Sequence, residues 1–271
     1  MMSSALPSRK RSRDDSSNVG EDRCSGPPEH VGCGMKSAGE SADGDSGCSV
    51  CLRKGMVILK GFLSESEQAD LAVEVGRLGE LKHGGFYSCH NEKTKRMRMM
   101  NLGLKTDGKK HVLAIPREWK EAALRACRLA TQADPSIPVL RPDICVVNHY
   151  TAASRLGWHQ DLSSSRDPGL PVISFSLGQT ATFQYRVSWK KTAAIKSVRL
   201  ESGDALIFGG RSRGIIHGVP GLDCATAPPA TLGSLVSGPA AEGGKGPGSP
   251  VARREVAVPG GGRFNLNFRE L

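Results

Sequence analysis

A mainly β fold with flanking helices (α+β) is the architecture this sequence predicts, on three observations. After Pro142, short apolar runs of period two follow one another, separated by glycine turns such as Gly178-Gln179, Gly203-Asp204 and Gly209-Gly210. The two recognisable amphipathic helices lie ahead of that series, not between its members. The chain closes on a strictly alternating stretch, Arg263 to Arg269. Interleaved helices would predict a doubly wound sheet, whereas helices gathered at the front and strands in series predict a sandwich or barrel.

The 271 residues suffice for one sizeable domain plus tails, or for two small domains. Residues 1–50 are rich in Ser, Gly, Asp and Glu and poor in large apolar side chains, which predicts disorder, with the folded domain beginning at residue 52. Within this tail Ser8-Arg9-Lys10-Arg11-Ser12-Arg13 is a basic cluster of nuclear-import type; cytoplasm and mitochondrion are the alternatives. No apolar run approaches the roughly 20 residues of a membrane span, and no apolar stretch follows the basic cluster as a signal peptide requires. Eight cysteines without framework spacing predict free thiols in a reducing, intracellular setting, and Cys48-x-x-Cys51, without a second pair, reads as incidental. Residues 1–50 carry a balance of −2 and the remainder +12, so the basic character belongs to the part that folds. That points to a polyanionic partner or to a merely basic surface, with a monomer expected.

Met56-Val57-Ile58-Leu59 reads as a short buried strand. Ser64 and Glu67 have the spacing of a capping box for a helix that carries Leu71, Val75 and Leu78 on one face and ends near Gly79. A second helix starts at Pro116 and turns Trp119, Ala123 and Cys127 to a core. Between them, residues 82–110 hold a net charge of +6, with Phe86 and Tyr87 at the entrance. Basic residues beside aromatics suit a phosphate backbone with unstacked bases, and a solvated hairpin equally well. In Ile144 to Tyr150 the period of two puts Val146, Asn148 and Tyr150 on one face. Strands are also expected at 172–177, 181–185, 205–208 and 215–217. Residues 220–262, with Pro228-Pro229, Gly243-Gly244 and Gly260-Gly261-Gly262, read as a flexible insertion. On the final strand Phe264, Leu266 and Phe268 face one way and Arg263, Asn265, Asn267 and Arg269 the other.

The chemistry gathers around His159-Gln160-Asp161. A neutral imidazole and a carboxylate two residues apart point to the same side of an extended chain and can share one metal ion. Alone the pair is a weak signal. A second His would complete the two-His, one-carboxylate facial triad of non-haem Fe(II) oxygenases, and His217 follows 56 residues after Asp161. Oxidation driven by 2-oxoglutarate also needs a cation, usually Arg, paired with the distal carboxylate of that acid, and the closing strand carries two Arg on one face.

These residues stand in an order that strongly resembles the AlkB family of Fe(II)/2-oxoglutarate-dependent dioxygenases, which repair alkylated bases. The matching text is Ala114-Ile115-Pro116, Pro142 to Tyr150, the His159-Gln160-Asp161 stretch, Ile173 to Gly178, Phe208 to Arg213, His217-Gly218 and Arg263-x-Asn265-Leu266-x-Phe268-Arg269. The resemblance covers residues 52–271. It implies a double-stranded β-helix, or jelly roll, with a nucleotide-recognition lid at 85–110. It implies His159, Asp161 and His217 as iron ligands and Arg263, Asn148, Tyr150, Asn265 and Arg269 around 2-oxoglutarate, with Ser212 and Arg213 as pocket supports. Lys93, Lys95, Arg96 and Arg98 become candidates for the nucleic acid, and Tyr87, Phe86 and Trp158 for stacking on the base. Where bacterial members carry a second carboxylate that helps read the base, this chain has Ser163. The implied reaction uses Fe(II), 2-oxoglutarate and O2 to remove a methyl group from 1-methyladenine or 3-methylcytosine in DNA, releasing formaldehyde, succinate and CO2. The same chemistry on RNA or on a protein side chain, and a non-catalytic nucleic-acid-binding module, are the alternatives.

Overall fold

The structure, a computed structural model, describes residues 48–161, 167–223, 225–226 and 262–271. The basic cluster at Ser8–Arg13, Ser163 and most of the glycine-rich insertion lie outside the described residues.

Thirteen strands among the described residues form two sheets. They are β1 (Cys48–Arg53), β2 (Met56–Lys60), β3 (Tyr87–Cys89), β4 (Thr94–Lys95), β5 (Met97–Gly103), β6 (Ile144–Tyr150), β7 (Arg155–His159), β8 (Val172–Gly178), β9 (Ala181–Arg186), β10 (Lys196–Leu200), β11 (Ala205–Phe208), β12 (Ile216–Val219) and β13 (Arg263–Arg269). The larger sheet runs β1-β2-β11-β8-β13-β6-β5-β3 and the smaller β10-β9-β12-β7-β4, with every named strand pair antiparallel. This is the expected jelly roll.

The larger sheet has two different faces because its strands alternate. Val57, Leu59, Ile173, Phe175, Leu177, Phe264, Leu266 and Phe268 turn outward and join the apolar sides of helices α1 (Glu65–Gly79) and α2 (Arg117–Ala133) in one core. Met56, Ile58, Val172, Leu206 and Phe208 turn inward to meet Phe183, Tyr185 and Ile215 of the smaller sheet's side. Ser64 caps α1 through a complete capping box with Glu67. Leu71, Val75 and Leu78 are buried as the spacing requires. The second helix starts one residue later than its proline: Pro116 keeps an extended ψ of 145° and stands as the cap.

Three further elements differ from expectation. The chain expected to be tail up to residue 51 is already strand from Cys48, paired with Met56–Lys60 around a turn at Gly55. Its side chains are mostly exposed, so main-chain pairing holds it without the apolar pattern that would reveal it. The segment expected as a lid, 85–110, contributes strands to both sheets. Met97, Met100 and Leu102 are buried because β5 pairs with β6 along its length. The start of the insertion is ordered against β9, where Leu222 bridges Ala181 and the Asp223 amide donates to the Thr180 carbonyl at 2.9 Å.

Candidate active site

Between the sheets opens a cleft of about 430 Å³, and its floor is the inward face of β6, β8 and β13. Val146, Asn148 and Tyr150 line it together, as do Arg263, Asn265, Asn267 and Arg269. Both sets follow the period of two read in the sequence. His159 at the end of β7 and His217 on β12 are directly paired across the smaller sheet. Asp161, just past β7, completes a group whose ligand atoms all lie within 4.8 Å of one another. No other group of three or more His, Cys, Asp or Glu side chains close enough to hold a metal ion occurs among the described residues.

Tautomers follow from the backbone. His159 Nδ1 lies 2.9 Å from the Gly157 carbonyl, and His217 Nδ1 lies 3.3 Å from that of Ile215. A ring whose Nδ1–H donates to a carbonyl leaves Nε2 as a lone-pair donor. Both Nε2 atoms face Asp161, at 3.9 and 3.6 Å. Burial pushes the His217 imidazolium down to about 4, so the ring is neutral near pH 7. For Asp161 burial alone would raise the carboxyl, but His217, Arg269, His159 and Arg213 together hold it below its usual range. Of that set Arg269, whose Nη1 is 3.6 Å from the carboxylate, and Arg213 carry guanidinium charges that persist at neutral pH. Two imidazole nitrogens and one carboxylate oxygen facing one point fit a divalent iron of mixed N/O preference.

Arg263 lies deeper. The residue is 1% exposed, donates to Ser176 Oγ at 2.7 Å and reaches the carbonyls of Gln179 and Leu200 at 3.3 and 3.4 Å. Among the described residues no carboxylate pairs with it, and its Nε has no partner. Burial pushes its guanidinium down to about 10, which still leaves it charged at neutral pH. Tyr150 Oη and Asn148 Oδ1 are also buried without partners. Asp204 acts on it only at longer range, and a buried cation without an ion-pair partner, beside idle hydroxyl and amide groups, fits a carboxylate that arrives with a ligand, as 2-oxoglutarate would.

The other expected site residues divide. Asn265 lines the cleft, but its amide is committed to Ser174 Oγ, the Phe175 carbonyl and Asn267, which leaves it no free donor for a ligand. Arg213 stands behind Asp161, donating from Nη1 to its backbone carbonyl at 3.1 Å and from Nε to the Leu170 carbonyl. Ser212 ties its turn to the Lys54 carbonyl and does not line the cleft. Tyr87 and Lys93 line the cleft mouth, Tyr87 being 45% exposed with its Oη accepting from Asn101. Lys95 and Arg96 line a separate depression. Arg98 belongs elsewhere: it lies over Phe86, which packs against His149 and Phe264 on the helix side of the larger sheet. Phe86 is thereby excluded from the cleft. Trp158 faces outward too, covered by Arg186 at 4.8 Å, because its neighbour His159 takes the inward side of the strand. Sequence reasoning missed Ser174 and Ser176, which support Asn265 and Arg263; the polar positions of Val172 to Leu177, two apart, were their signal.

The sequence also matches known proteins. Residues 55–269 match the family model of the 2OG-Fe(II) oxygenase superfamily. The chain is 36% identical over 220 residues to the DNA N(6)-methyladenine demethylase ALKBH1C of Arabidopsis thaliana, covering 71% of this chain and 48% of that protein. It is 34% identical over 109 residues to the alpha-ketoglutarate-dependent dioxygenase AlkB of Escherichia coli (strain K12), covering 40% and 47%. A solved structure of OsALKBH1 shares 31% identity at a TM-score of 0.67 and covers 83% of this chain and all of that one. The chain spans about half the length of the Arabidopsis relatives it matches.

Proposed function

The chain belongs to the 2OG-Fe(II) oxygenase superfamily and, within it, to the AlkB family, and on that premise we propose that it removes methyl groups from N-methylated bases in DNA. The observation that carries the reading is one cleft that holds both the His159, Asp161 and His217 set and a buried Arg263 with no ion-pair partner among the described residues. His159, Asp161 and His217 would hold the iron, and Arg263 the distal carboxylate of 2-oxoglutarate, with Tyr150 and Asn148 beside it. Bound together, Fe(II), 2-oxoglutarate and O2 supply the oxidation of an N-methyl carbon, with release of CO2 and succinate; the hydroxymethyl product sheds formaldehyde.

The protein's own part is positioning. Arg269, at the far end of the strand that carries Arg263, reaches Asp161 and helps to keep it ionised, and the backbone carbonyls of Gly157 and Ile215 fix both imidazoles with Nε2 inward. Phe183, Leu200, Phe208 and Val219 give the cleft an apolar wall that limits water. The target base must leave its stack to enter, at a cost of a few kcal/mol.

Charge bears on the choice of base. The described lining holds a single acid, Asp161, against Arg263, Arg269 and Lys93, and 162–166 (Leu-Ser-Ser-Ser-Arg) add no acid to the sequence. With Arg263 turned to the cosubstrate and Arg269 to Asp161, the lining offers no spare carboxylate to a cationic base such as 1-methyladenine or 3-methylcytosine. A neutral base, N6-methyladenine, fits better and agrees with the activity for which the Arabidopsis relatives are named. The deciding assay incubates the protein with DNA and RNA oligonucleotides carrying each methylated base and measures formaldehyde and succinate. Turnover on N6-methyladenine in DNA is expected, with His159→Ala abolishing it while oligonucleotide affinity stays. Absence of turnover on every nucleic acid would overturn the proposal.

A further inference from the structure

Helix α1 turns an apolar side to the larger sheet, and Gln68 is the one polar side chain among its buried residues. It does not line the cleft, and packing alone would be served as well by an apolar residue of its size. A buried amide costs free energy unless its hydrogen bonds are met. Here both ends are met. Nε2 donates to the Leu63 carbonyl at 2.9 Å, and Oε1 accepts from Ser202 Oγ at 2.6 Å. Ser202 Oγ accepts in turn from the Gly178 amide at 2.9 Å. Gly203 has φ of +87°, and a Cβ there would lie 2.6 Å from Gln68 Nε2, so the amide rests directly on the backbone of the turn 201–204 that joins β10 to β11.

That turn carries the surroundings of Arg263. Among the described residues the guanidinium has three acceptors, Ser176 Oγ and the carbonyls of Gln179 and Leu200, and each is tied to the turn. Leu200 immediately precedes it. Ser176 exchanges main-chain bonds with it, its amide donating to the Asp204 carbonyl at 3.0 Å and its carbonyl accepting from the Gly203 amide at 2.8 Å. Gln179 follows Gly178, whose amide Ser202 holds, and its own amide donates to the carbonyl of Gly262, the residue before Arg263. Asp204 spends its carboxylate on Lys60 and on the amides of Gly61 and Glu201, which closes the turn; the link onward to Gly178 runs through Ser202 and Gln68. Resting on the reading of Arg263 as the partner of the distal carboxylate of 2-oxoglutarate, we propose that Gln68 is a positioning residue for Arg263. With Ser202 it fixes, from the helix side of the sheet, the oxygens that aim the guanidinium. A carboxylate gripped by two parallel bonds needs the planar fork in one orientation. A turn free to shift therefore weakens 2-oxoglutarate binding although no contact with the ligand is lost.

The test is the affinity of the Mn(II)-loaded full chain for 2-oxoglutarate, read by titration calorimetry. Gln68→Met keeps the length of the side chain and removes both hydrogen bonds; affinity should fall about tenfold, less than for Arg263→Lys. Ser202→Ala should do the same, and the double variant should lose no more than either single one, because both cut one link. Losses that multiply would overturn the relay. Val75→Ala opens a cavity in the same helix's core and should lower the melting temperature comparably, yet bind 2-oxoglutarate as the parent does. An equal loss of affinity in Val75→Ala would reduce Gln68 to a structural role. In turnover the effect of Gln68→Met should fall on KM for 2-oxoglutarate and leave kcat. Parental affinity in Gln68→Met, with binding weakened in Arg263→Lys, would sink the positioning role alone. Parental affinity in Arg263→Lys would instead sink the cosubstrate reading on which it rests.

Discussion

At the scale of single residues, Arg263 is the side chain whose chemistry is most constrained. Its guanidinium is enclosed, charged and without an ion-pair partner among the described residues, so replacing it should be felt by the ligand that neutralises it. Arg263→Lys keeps the charge but loses the planar fork that matches a carboxylate. Losing two charge-assisted hydrogen bonds is worth about 3 kcal/mol, or roughly a hundredfold in affinity for 2-oxoglutarate. Titration calorimetry of the Mn(II)-loaded protein with 2-oxoglutarate reads this directly; parental affinity in the variant would remove Arg263 from the cosubstrate site.

His149 makes a prediction about pH. Its ring is buried against Phe86 and Phe264, with both nitrogens lacking partners, and burial pushes it down to about 4, Arg98 adding to the effect. The unfolded chain takes up the proton near pH 6.5, the folded chain only near 4, so the unfolded state binds more protons between those values. Stability is therefore full above about pH 6.5 and falls as pH drops toward 4, by about 2 kcal/mol at pH 5. His149→Leu should flatten that slope in urea unfolding at pH 5 and 7, while His217, pushed down for the same reason, retains a share. An unchanged pH slope would refute the role of His149.

Much of the site was legible residue by residue. The inward half of β13 followed from the two-residue period, whereas the grouping of His159 and Asp161 with the distant His217 rested on ligand chemistry and on the family resemblance together. Trp158 shows how far that period reaches: with His159 inward on a strand, Trp158 must face out, so its exclusion from the cleft was already contained in the spacing. The pairing of Lys95 with Arg155 was not, because it depends on the register between two strand positions that are 60 residues apart.

Among elements, the turn between β8 and β9 links fold to site. Gly178 has φ of +94°, and a Cβ there would run into the carbonyl oxygen of Gly262, the residue before Arg263. Only glycine lets the end of β8 lie against the start of β13 at this point. Gly178→Ala should displace the start of β13, lowering the melting temperature and weakening 2-oxoglutarate affinity together. Ser64→Ala removes the α1 cap on the opposite face of the sheet, costs about 1 kcal/mol and should leave cosubstrate affinity intact. Calorimetry on both variants separates the effects; equal losses of affinity would mean that the turn has no special hold on Arg263. Elements carrying a strong local signal, such as the capped helix and the alternating final strand, were predicted within a residue or two. Strands β1, β3, β4, β5 and β10 were not: most are short or exposed, β5 is masked by its basic residues, and all owe their state to neighbours.

For the whole molecule, the organising fact is that one sheet serves two interiors: an apolar one against the helices and a polar cleft against the smaller sheet. The alternation of each strand announced two faces, but which sheet met which face required the strand order. The sheet's edge supplies the last test. Strand β1 pairs from Cys48 and covers the main chain of β2, whose Val57 and Leu59 belong to the helix-side core. Removing residues 1–47 should leave the melting temperature and demethylation unchanged, because every described strand remains. Removing 1–54 takes away β1 and exposes the hydrogen-bonding groups of β2 as a new edge, which invites pairing with a second copy. That shorter chain should melt several degrees lower and show concentration-dependent association by light scattering. If both truncations behave alike, β1 contributes nothing to the sheet's stability, and the domain begins at β2.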